Sequence, residues 1–252
     1  AIRRQRQMCI RDRVYVIYTA LREGWKVFVS SVTDEYAVNS IFLTVKVTVI
    51  TVIINSVFGI FAAWLITRFK FRGKKLISTL IDLPLTISPI IAGLIFVLTF
   101  GRQSAIYPFL EKWGIQIIFA VPGIVLATIF VTFPFISREI IPVLTVKGTD
   151  EEEAAALMGA NGFQIFTQIT FPHIRWAFLY GVVLCSARAM GEFGAVSVLS
   201  GHLRGITNTM PLYIELLYQA FDFTGAFAMS AILVVMALVI LVLKNIFEKS
   251  ME

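Results

Sequence analysis

The sequence predicts an all-α, polytopic membrane protein, and two observations support this fold class. The chain has 252 residues, of which 58% are hydrophobic, and its mean hydropathy is +0.82, whereas soluble domains are about 45–50% apolar. The apolar residues also collect in runs of the length that membrane helices need, about 20 residues. Five spans are predicted, near residues 39–66, 76–100, 117–137, 176–200 and 225–247. We expect helices because a spanning segment must satisfy its backbone hydrogen bonds within the lipid.

The distribution of basic residues predicts how these spans are oriented. The net charge is +6, but five single crossings would divide the basic residues unevenly between the two sides. The richer side would carry Arg68, Lys70, Arg72, Lys74, Lys75, Arg138, Lys147, Arg175, Lys244 and Lys249. The poorer side would carry Arg22, Lys26, Arg102, Lys112 and Arg204. Because cytoplasmic loops are rich in Lys and Arg, we expect the richer side and the C-terminus to be cytoplasmic. The positive charge then reflects topology and not nucleic-acid binding.

The N-terminal region departs from this pattern. Residues 1–13 are rich in arginine and would lie outside if the C-terminus is cytoplasmic, against the charge rule. Either the chain has lost a first span that ends at Val14–Tyr18, or residues 1–13 are foreign sequence joined to a truncated gene, and we favour both together. No signal peptide fits, because no adequate apolar core follows the basic run. The expected organisation is an atypical basic segment over 1–13, the end of a lost span plus a periplasmic connection over 14–37, and a transmembrane domain over 38–248.

The first two spans differ in their polar and helix-breaking residues. The first contains Lys46 and Asn55, and we expect a helix that faces a bundle, with its lysine paired or reaching the interface. The second contains Asp82, Pro84 and Pro89. Each proline removes a backbone donor and displaces the carbonyl four residues earlier, and a freed carbonyl within a membrane must face protein or water. Two interpretations are equally open: a substrate path, which interrupted helices often line, or a packing kink whose aspartate reaches water or an arginine.

The remaining spans contain further bends and one charged pair. Pro122 and Pro134 predict bends in the third span. In the fourth, Arg188 and Glu192 are four residues apart, so they share a helical face and can pair. Arg188 is either half of a structural ion pair or a guanidinium that attracts an oxyanion by bidentate hydrogen bonds, and for Glu192 we favour the structural role. Residues 201–224 are expected to form an external connection before the uniformly apolar last span.

A polar segment, residues 150–172, separates the third and fourth spans and reads DEEEAAALMGANGFQIFTQITFP. Its four leading acids favour a helix start, where they complement the helix dipole. Small alanines after Glu153 allow another surface to approach closely. Gly159 permits a turn, since glycine accepts backbone angles that other residues avoid. Pro172 is expected to end the segment and to set the start of the next span.

Within this polar segment, Glu153-Ala154-Ala155 is followed at fixed spacing by Gly159, Ile169 and Phe171-Pro172. The pattern resembles the EAA loop of ABC importer permeases, E-A-A-x3-G-x9-I-x-L-P, with a phenylalanine where the family has leucine. The resemblance implies a type I permease fold with about five spans present and the first one missing. It also implies a cytoplasmic coupling loop over about 138–175, whose short helix docks on a separate ATPase. The expected coupling residues are Glu153, Ala154, Ala155, Gly159 and Pro172.

Three further stretches resemble the oxyanion importers of this family. Sulfate permeases share a segment similar to DLPLTISPIIAGL, which begins here at Asp82. Sulfate, thiosulfate and molybdate permeases share one similar to ARAMGEFGA, which begins at Ala187. W-type sulfate/thiosulfate permeases have a stretch similar to VSVLSGHLRGITNTMPLYIELLYQ, which begins at Val196. The candidate translocation path consists of Asp82, Pro84, Ser88, Pro89, Arg188 and Glu192.

These resemblances imply a membrane-spanning subunit of an ATP-driven sulfate/thiosulfate importer in the bacterial inner membrane. The expected partners are a T-type permease subunit, a dimer of ATPase subunits, a periplasmic sulfate/thiosulfate-binding protein and the lipid bilayer. ATP and Mg²⁺ would be bound by the ATPase. A molybdate or tungstate permease is the nearest alternative. A more distant one is an ion-coupled secondary transporter, with Lys46, Asp82, Arg188 and Glu192 as a relay.

We expect this chain to be a transport subunit and not an enzyme. It contains no G-x4-G-K-[ST] phosphate loop, so it cannot bind a nucleotide by that route. Neither its two cysteines, Cys9 and Cys185, nor its two histidines, His173 and His202, have the spacing of metal ligands. No cofactor and no metal are therefore expected in this chain.

Overall fold

The computed structural model describes residue 19 and residues 24–249, and the structural statements below concern these residues. They form helices joined by turns and contain no β-strand, which confirms the predicted all-α class. The first helices are α1 (Trp25–Thr33), α2 (Glu35–Arg68), α3 (Lys74–Thr86), α4 (Pro89–Phe100), α5 (Tyr107–Lys112) and α6 (Val121–Lys147). They are followed by α7 (Asp150–Leu157), α8 (Gly162–Ile165), a π-helical turn (Phe166–Thr170), α9 (Phe171–Met190), α10 (Gly194–Ser200), α11 (Met210–Gln219) and α12 (Phe223–Lys249).

Three of these helices are long and apolar enough to cross a membrane by themselves. They are α2, α6 and the part of α12 over Phe223–Val242. Two bent pairs meet the same test as units: α3 with α4, at an angle of 110°, and the helical run Gly162–Met190 with α10, at 49°. The five predicted spans are therefore reached when each bent pair is counted as one crossing.

The start of the first span differs from the expected boundary. The prediction for residues 1–13 lies outside the described residues, as does most of the connection before Gly24. The described part of that connection contains a helix, α1, and α2 begins at Glu35 and not at residue 39. Asp34 accounts for this start, because its side chain accepts a hydrogen bond from the Tyr36 N–H over 3.2 Å and so caps the helix.

The third span is longer at its C-terminal end than the sequence predicts. α6 runs from Val121 to Lys147, so the first part of the expected coupling loop belongs to this helix. Pro134 and Pro142 lie inside α6 without ending it. Ile136, Ile140 and Leu144 explain why, since they continue a stripe of fully buried side chains at helical spacing.

Pro172 does not end the polar segment, contrary to the prediction. It lies within a continuous helical run, Gly162–Met190. Just before it, the Phe171 N–H donates to the Phe166 carbonyl, five residues earlier, as in a π-helix. A proline lacks the donor and crowds the carbonyl four residues before it, so this widened turn accommodates the ring without a break. The second half of the polar segment is thus continuous with α9. We call the whole helical run Gly162–Met190 the α9 rod.

The core lies where α2, α6 and α9 meet. Its buried residues are Ala63, Ile136, Ile140, Leu144, Ile174 and Cys185. Two glycines bring the helices into close contact with Ile136 of α6. A Cβ on Gly59 of α2 would lie 2.8 Å from its Cγ2, and one on Gly181 of α9 would lie 2.9 Å from its Cα. Small residues at such crossings allow membrane helices to pack closely.

Asn55 of the first span lies as the sequence predicts for a bundle-facing helix. Asn55 is completely buried, and its Nδ2 donates to Thr132 Oγ1 of α6 over 2.8 Å. The same nitrogen lies 3.7 Å from Cys185 Sγ of α9. Lys46, by contrast, is exposed on the outer face of α2. A polar contact therefore joins the three core helices near the middle of the span.

Candidate coupling segment and translocation path

α7 is the short helix that the sequence predicts at the start of the polar segment. Its first turn contains only acids, Asp150 to Glu153, which complement the positive end of the helix dipole. Before it, Thr149 donates from Oγ1 to Glu153 Oε1 over 2.7 Å. Glycines with positive φ flank the helix, Gly148 (70°) on one side and Gly159 (91°) on the other. The turn predicted at Gly159 is therefore present, and a second glycine turn precedes the helix.

The two faces of α7 differ in their surroundings. Ala155 is the one buried side chain of this helix, whereas Ala154 is exposed. At the helix end and just beyond it, large apolar side chains project from the protein: Leu157 is 90% exposed, Met158 83% and Phe163 77%. We call these three residues the tip. Clustered apolar exposure of this kind marks interaction surfaces, and the small alanines beside the tip leave room for a second surface.

A buried ion pair joins α7 to the end of α2. Arg68, the last residue of α2, donates from Nη2 to Glu152 Oε1 over 2.8 Å. Its Nη1 donates to the Leu144 carbonyl of α6 over 3.1 Å. The same carboxylate oxygen of Glu152 accepts a hydrogen bond from Thr170 Oγ1 over 2.8 Å. The two charged side chains are 9% and 15% exposed, so this network links four parts of the fold in a largely buried position.

A second, exposed pair joins α7 to α9. His173 Nε2 lies 2.7 Å from Glu151 Oε2. The hydrogen bond with His173, and then the histidine's positive charge, hold the pKa of the Glu151 carboxyl below its usual value. Because this carboxylate is exposed, water weakens the attraction. The inner face of α7 is thus attached through two neighbouring carboxylates, one exposed and one buried.

The two interrupted helices meet at their breaks. Between α3 and α4 the chain leaves the helical conformation at Ser88 (φ −58°, ψ 133°), and Pro89 opens α4. The other break lies between α9 and α10. A Cβ on Gly194, the first residue of α10, would lie 3.0 Å from Pro89 Cβ, and a Cβ on Gly93 would lie 2.8 Å from the Ala195 carbonyl oxygen. Interrupted helices that meet in this way form substrate sites in membrane transporters.

The charged pair predicted in the fourth span is formed at this meeting point. Arg188 Nη1 lies 2.6 Å from Glu192 Oε2. The other carboxylate oxygen, Oε1, accepts a hydrogen bond from the Ala195 N–H over 2.9 Å and so satisfies a free donor at the start of α10. Glu192 is buried, whereas one third of the Arg188 side chain is exposed. The glutamate therefore fixes the break, and the guanidinium is left partly open.

Asp82 and Pro84 are placed differently from the other candidate path residues. Asp82 Oδ1 accepts a hydrogen bond from Arg138 Nε of α6 over 2.8 Å, with both side chains substantially exposed. Pro84 is buried inside α3 and does not interrupt it. The bend occurs later, at Ser88. The structure therefore brings Ser88, Pro89 and Glu192 to the meeting of the two breaks and pairs Asp82 with an arginine elsewhere.

Sequence reasoning did not single out Arg68, Glu152 or Thr170. In the sequence, Arg68 is one of the basic residues of the richer side, and Glu152 is one of the four acids that favour a helix start. The arginine and the glutamate are 84 positions apart in the chain, so no local spacing indicates their pairing. As for metal, the part of the chain that the structure describes contains no group of three or more His, Cys, Asp or Glu side chains placed to hold an ion.

Comparison with known proteins decides the family. Residues 55–252 match the family described as "Binding-protein-dependent transport system inner membrane component". The chain belongs to this family. It is 46% identical over 239 residues to the "Sulfate transport system permease protein CysW" of Escherichia coli (strain K12), covering 95% of this chain and 82% of that protein. It is also 46% identical over 236 residues to the protein of the same name from Synechocystis sp., covering 94% of this chain and 86% of that protein.

More distant relatives and solved structures agree with this assignment. The chain is 36% identical over 227 residues to the "Probable sulfate transport system permease protein cysT" of Prototheca wickerhamii, covering 89% of this chain and 88% of that protein. Its fold matches a chain of a bacterial alginate ABC transporter in complex with alginate pentasaccharide-bound periplasmic protein. The TM-score is 0.78 at 20% identity, over 93% of this chain and 87% of that chain. The predicted ABC importer permease fold is therefore confirmed, and members of this family are transport subunits.

Proposed function

We propose that this chain is the W-type subunit of an ATP-driven sulfate/thiosulfate importer, forming half of the translocation path. The single observation that carries the coupling role is the tip, where Leu157, Met158 and Phe163 are exposed beside a glycine-flanked helix. The substrate class is supported by the 46% identity to sulfate transport permeases of the W type. The lower identity, 36%, to a relative of the T type supports the choice between the two types.

The tip is the proposed docking site for the ATPase. Its apolar side chains would enter a groove of the partner, and Ala154 lets that surface approach α7 closely. Glu153 adds a carboxylate on the same exposed side, available to a basic side chain of the ATPase. The ATPase dimer supplies the nucleotide chemistry, since it holds ATP and Mg²⁺ while this chain provides the lever.

Movement of the tip reaches the membrane through one rod. The helical run Gly162–Met190 begins next to Phe163 of the tip and passes through Pro172 without a break. A run of this length measures about 40 Å, enough to cross the bilayer core of about 30 Å. Arg188 lies in its last turn. Displacement of the docked end therefore tilts the rod and shifts the guanidinium at the other end.

The proposed anion path passes the meeting point of the two breaks. Arg188 is suited to a tetrahedral oxyanion because its planar fork donates two parallel hydrogen bonds. Glu192 holds this arginine, and Ser88 and Pro89 form the facing break. Asp82 and Pro84 belong to the same interrupted segment, on the α3 side of the break. A partly exposed arginine binds the anion weakly enough for release, and the binding protein supplies most of the selectivity.

The remaining partners follow from the topology proposed on the charge rule. We assign the chain to the bacterial inner membrane, with its C-terminus and α7 in the cytoplasm. A T-type permease subunit would form the other half of the path. A periplasmic binding protein would deliver sulfate or thiosulfate to the outer side, and an ATPase dimer would lie beneath both permeases.

Uptake of radiolabelled sulfate tests this proposal. Cells that lack their own W-type permease are complemented with this chain, and its presence in the membrane fraction is checked by immunoblot. Unlabelled thiosulfate and molybdate serve as competitors. We expect energy-dependent sulfate uptake that thiosulfate blocks and molybdate spares. Molybdate uptake without sulfate uptake, from a membrane-inserted chain, would reject the proposed substrate in favour of a molybdate permease.

The docking role has a separate test. Met158→Asp places a charge at the tip and should prevent co-purification of the ATPase. Ile206→Asp is the matched control, because Ile206 is also an exposed apolar residue but lies in the connection assigned to the opposite side of the membrane. Equal recovery of the ATPase with wild type and with Met158→Asp would contradict docking at the tip.

A further inference from the structure

α7 is held to the protein by very little apolar contact. Ala155 is its one buried side chain. The peptide connections on both sides run through glycines in backbone conformations unusual for other residues, Gly148 and Gly159. Such connections do not transmit a push rigidly, because each glycine can rotate at small cost. Whatever moves with α7 must therefore be linked to it by side-chain contacts.

The polar side-chain contacts that link α7 to other helices of the described chain come from two neighbouring acids, Glu151 and Glu152. The Glu151 pair with His173 is exposed, and exposed pairs contribute little. Glu152 is different, since its largely buried carboxylate accepts hydrogen bonds from Arg68 and Thr170 over 2.8 Å each. Arg68 in turn donates to the Leu144 carbonyl. This network is the stiff attachment of the helix.

We propose that Arg68 and Glu152 form a joint through which displacement of α7 is passed directly to α2. The proposal rests on the proposed coupling function of α7. Arg68 is the last residue of a 34-residue membrane helix, so a shift of its guanidinium acts on the end of that helix. Through the joint, α7 moves two spans together: α2 by way of Arg68 and the α9 rod by way of Thr170. Both residues are positioning residues, since neither belongs to the proposed anion path.

Burial explains why an ion pair performs this role. Buried pairs add little net stability compared with apolar packing, but breaking one leaves an uncompensated charge and is strongly unfavourable. A joint of this kind tolerates only one geometry. The pair and Thr170 lie at the wall of a cleft of about 830 Å³, whose other lining residues are mainly apolar side chains of α2 and of the polar segment, including Phe61, Trp64 and Phe166. The cleft leaves α7 room to shift as a unit, while the pair keeps its distance to α2 constant.

The test compares Glu152→Gln, Arg68→Gln and the double variant in the assembled transporter, reconstituted in proteoliposomes with its ATPase and binding protein. Glu152→Gln preserves side-chain shape and the acceptor for Thr170. The matched controls are Glu215→Gln, a partly exposed glutamate on α11, and Arg72→Gln, an exposed arginine in the turn after Arg68. Two quantities are measured: sulfate taken up per ATP hydrolysed, and hydrogen exchange of the amides of α7.

We expect each single variant to assemble and hydrolyse ATP but to take up at least about tenfold less sulfate per ATP than wild type. Exchange of the α7 amides should become at least about tenfold faster. The double variant should resemble the singles, because both act on one joint. Thr170→Val, which removes one hydrogen bond but keeps the ion pair, should have a smaller effect on both quantities.

The outcomes separate this proposal from the proposed function. Unchanged exchange of α7 in both single variants overturns the joint, and this measurement needs no transported substrate. Faster exchange with unchanged uptake per ATP also overturns it, because the pair would then be structural only. A failure of the proposed function is visible in the unsubstituted transporter, as uptake of a different anion or as uptake that does not require ATP.

Discussion

The buried contact between Asn55 and Thr132 predicts unequal effects on stability. Replacing the threonine by an apolar residue should lower the free energy of unfolding more than replacing the asparagine. Thr132 Oγ1 both accepts from Asn55 Nδ2 over 2.8 Å and donates to the Thr128 carbonyl over 2.6 Å. Asn55 Nδ2 has a longer contact with the Ile129 carbonyl, 3.3 Å. Its Oδ1 is buried and has no partner among the described residues. The threonine is therefore satisfied without the asparagine, but the asparagine depends on the threonine.

Thr132→Val removes the better acceptor from a buried amide that already lacks a partner on its oxygen. Leaving a buried polar group unsatisfied costs about 1–3 kcal/mol, and hydrogen bonds between membrane helices are worth about 0.6 to 1.7 kcal/mol. We therefore expect Thr132→Val to lower the free energy of unfolding by about 1–1.5 kcal/mol. Asn55→Leu keeps the branched shape of the side chain with larger methyl groups and removes an unsatisfied oxygen, so its cost should stay below that of Thr132→Val.

Unfolding of the purified chain by sodium dodecyl sulfate in mixed micelles measures both values. The double variant should behave as Asn55→Leu alone, since no amide remains to be left unpaired, and the two effects are then not additive. Sulfate uptake by Asn55→Leu should equal that of wild type. A larger loss for Asn55→Leu than for Thr132→Val, or a double variant whose loss is the sum of the two, would refute this reasoning.

Four further predictions concern single positions. Gly181→Ala should destabilise the chain by about 1–3 kcal/mol in the same unfolding assay, because its Cβ meets the backbone of α6 at 2.9 Å. Gly159→Val should abolish uptake while Gly159→Asn retains part of it, because φ is 91° and asparagine tolerates positive φ better than a β-branched residue; equal uptake by the two variants would contradict this. Glu192→Gln should be more stable to unfolding than Glu192→Ala, since only glutamine keeps an acceptor for the first N–H groups of α10. The pKa of Glu151 lies below its usual 4.5. Its pair with His173 therefore stabilises the fold at pH values above 4.5, and this stabilisation is lost as the pH falls through the lowered pKa. Between about pH 7 and about pH 3, the thermal unfolding temperature should therefore fall more steeply on the acid side for wild type than for Glu151→Gln.

The number of apolar segments could be predicted from the sequence, but the places where they bend could not. Pro84 and Pro89 are equivalent signals in the second span, yet Pro84 stays inside α3 and the bend follows at Ser88. Pro142 likewise fails to interrupt α6. What distinguishes these positions is the contact of Pro89 with Gly194, more than a hundred residues later in the chain. Helix breaks are decided by tertiary packing, which local propensity does not contain.

Features of the candidate site could likewise be predicted only where they depend on residues close together in the sequence. The start of α7 and the turn at Gly159 were predictable, because acids at a helix start and glycine at a positive φ act within a few residues. The pair of Arg188 and Glu192 was predictable from its spacing of four. The joint of Arg68 and Glu152 was not, since each residue has a sufficient local explanation as part of a basic turn or of an acidic helix start.

The arrangement of continuous and interrupted helices explains how one fold can be both stiff and mobile. α2 and α6 are unbroken and pack closely at Gly59, where no space remains even for a Cβ, so they form a closely packed frame. The two interrupted helices meet at Pro89 and Gly194, where the chain lacks regular hydrogen bonding and can deform. The α9 rod belongs to both parts: Gly181 packs on the frame, while Arg188 lies at the break. If docking at the tip changes the affinity of Arg188 for an anion, anion binding must change the affinity of the tip for its partner. Thermodynamic linkage makes the two coupling free energies equal. Occupancy of the proposed path and docking of the proposed ATPase are thus expected to be linked through displacement of the α9 rod.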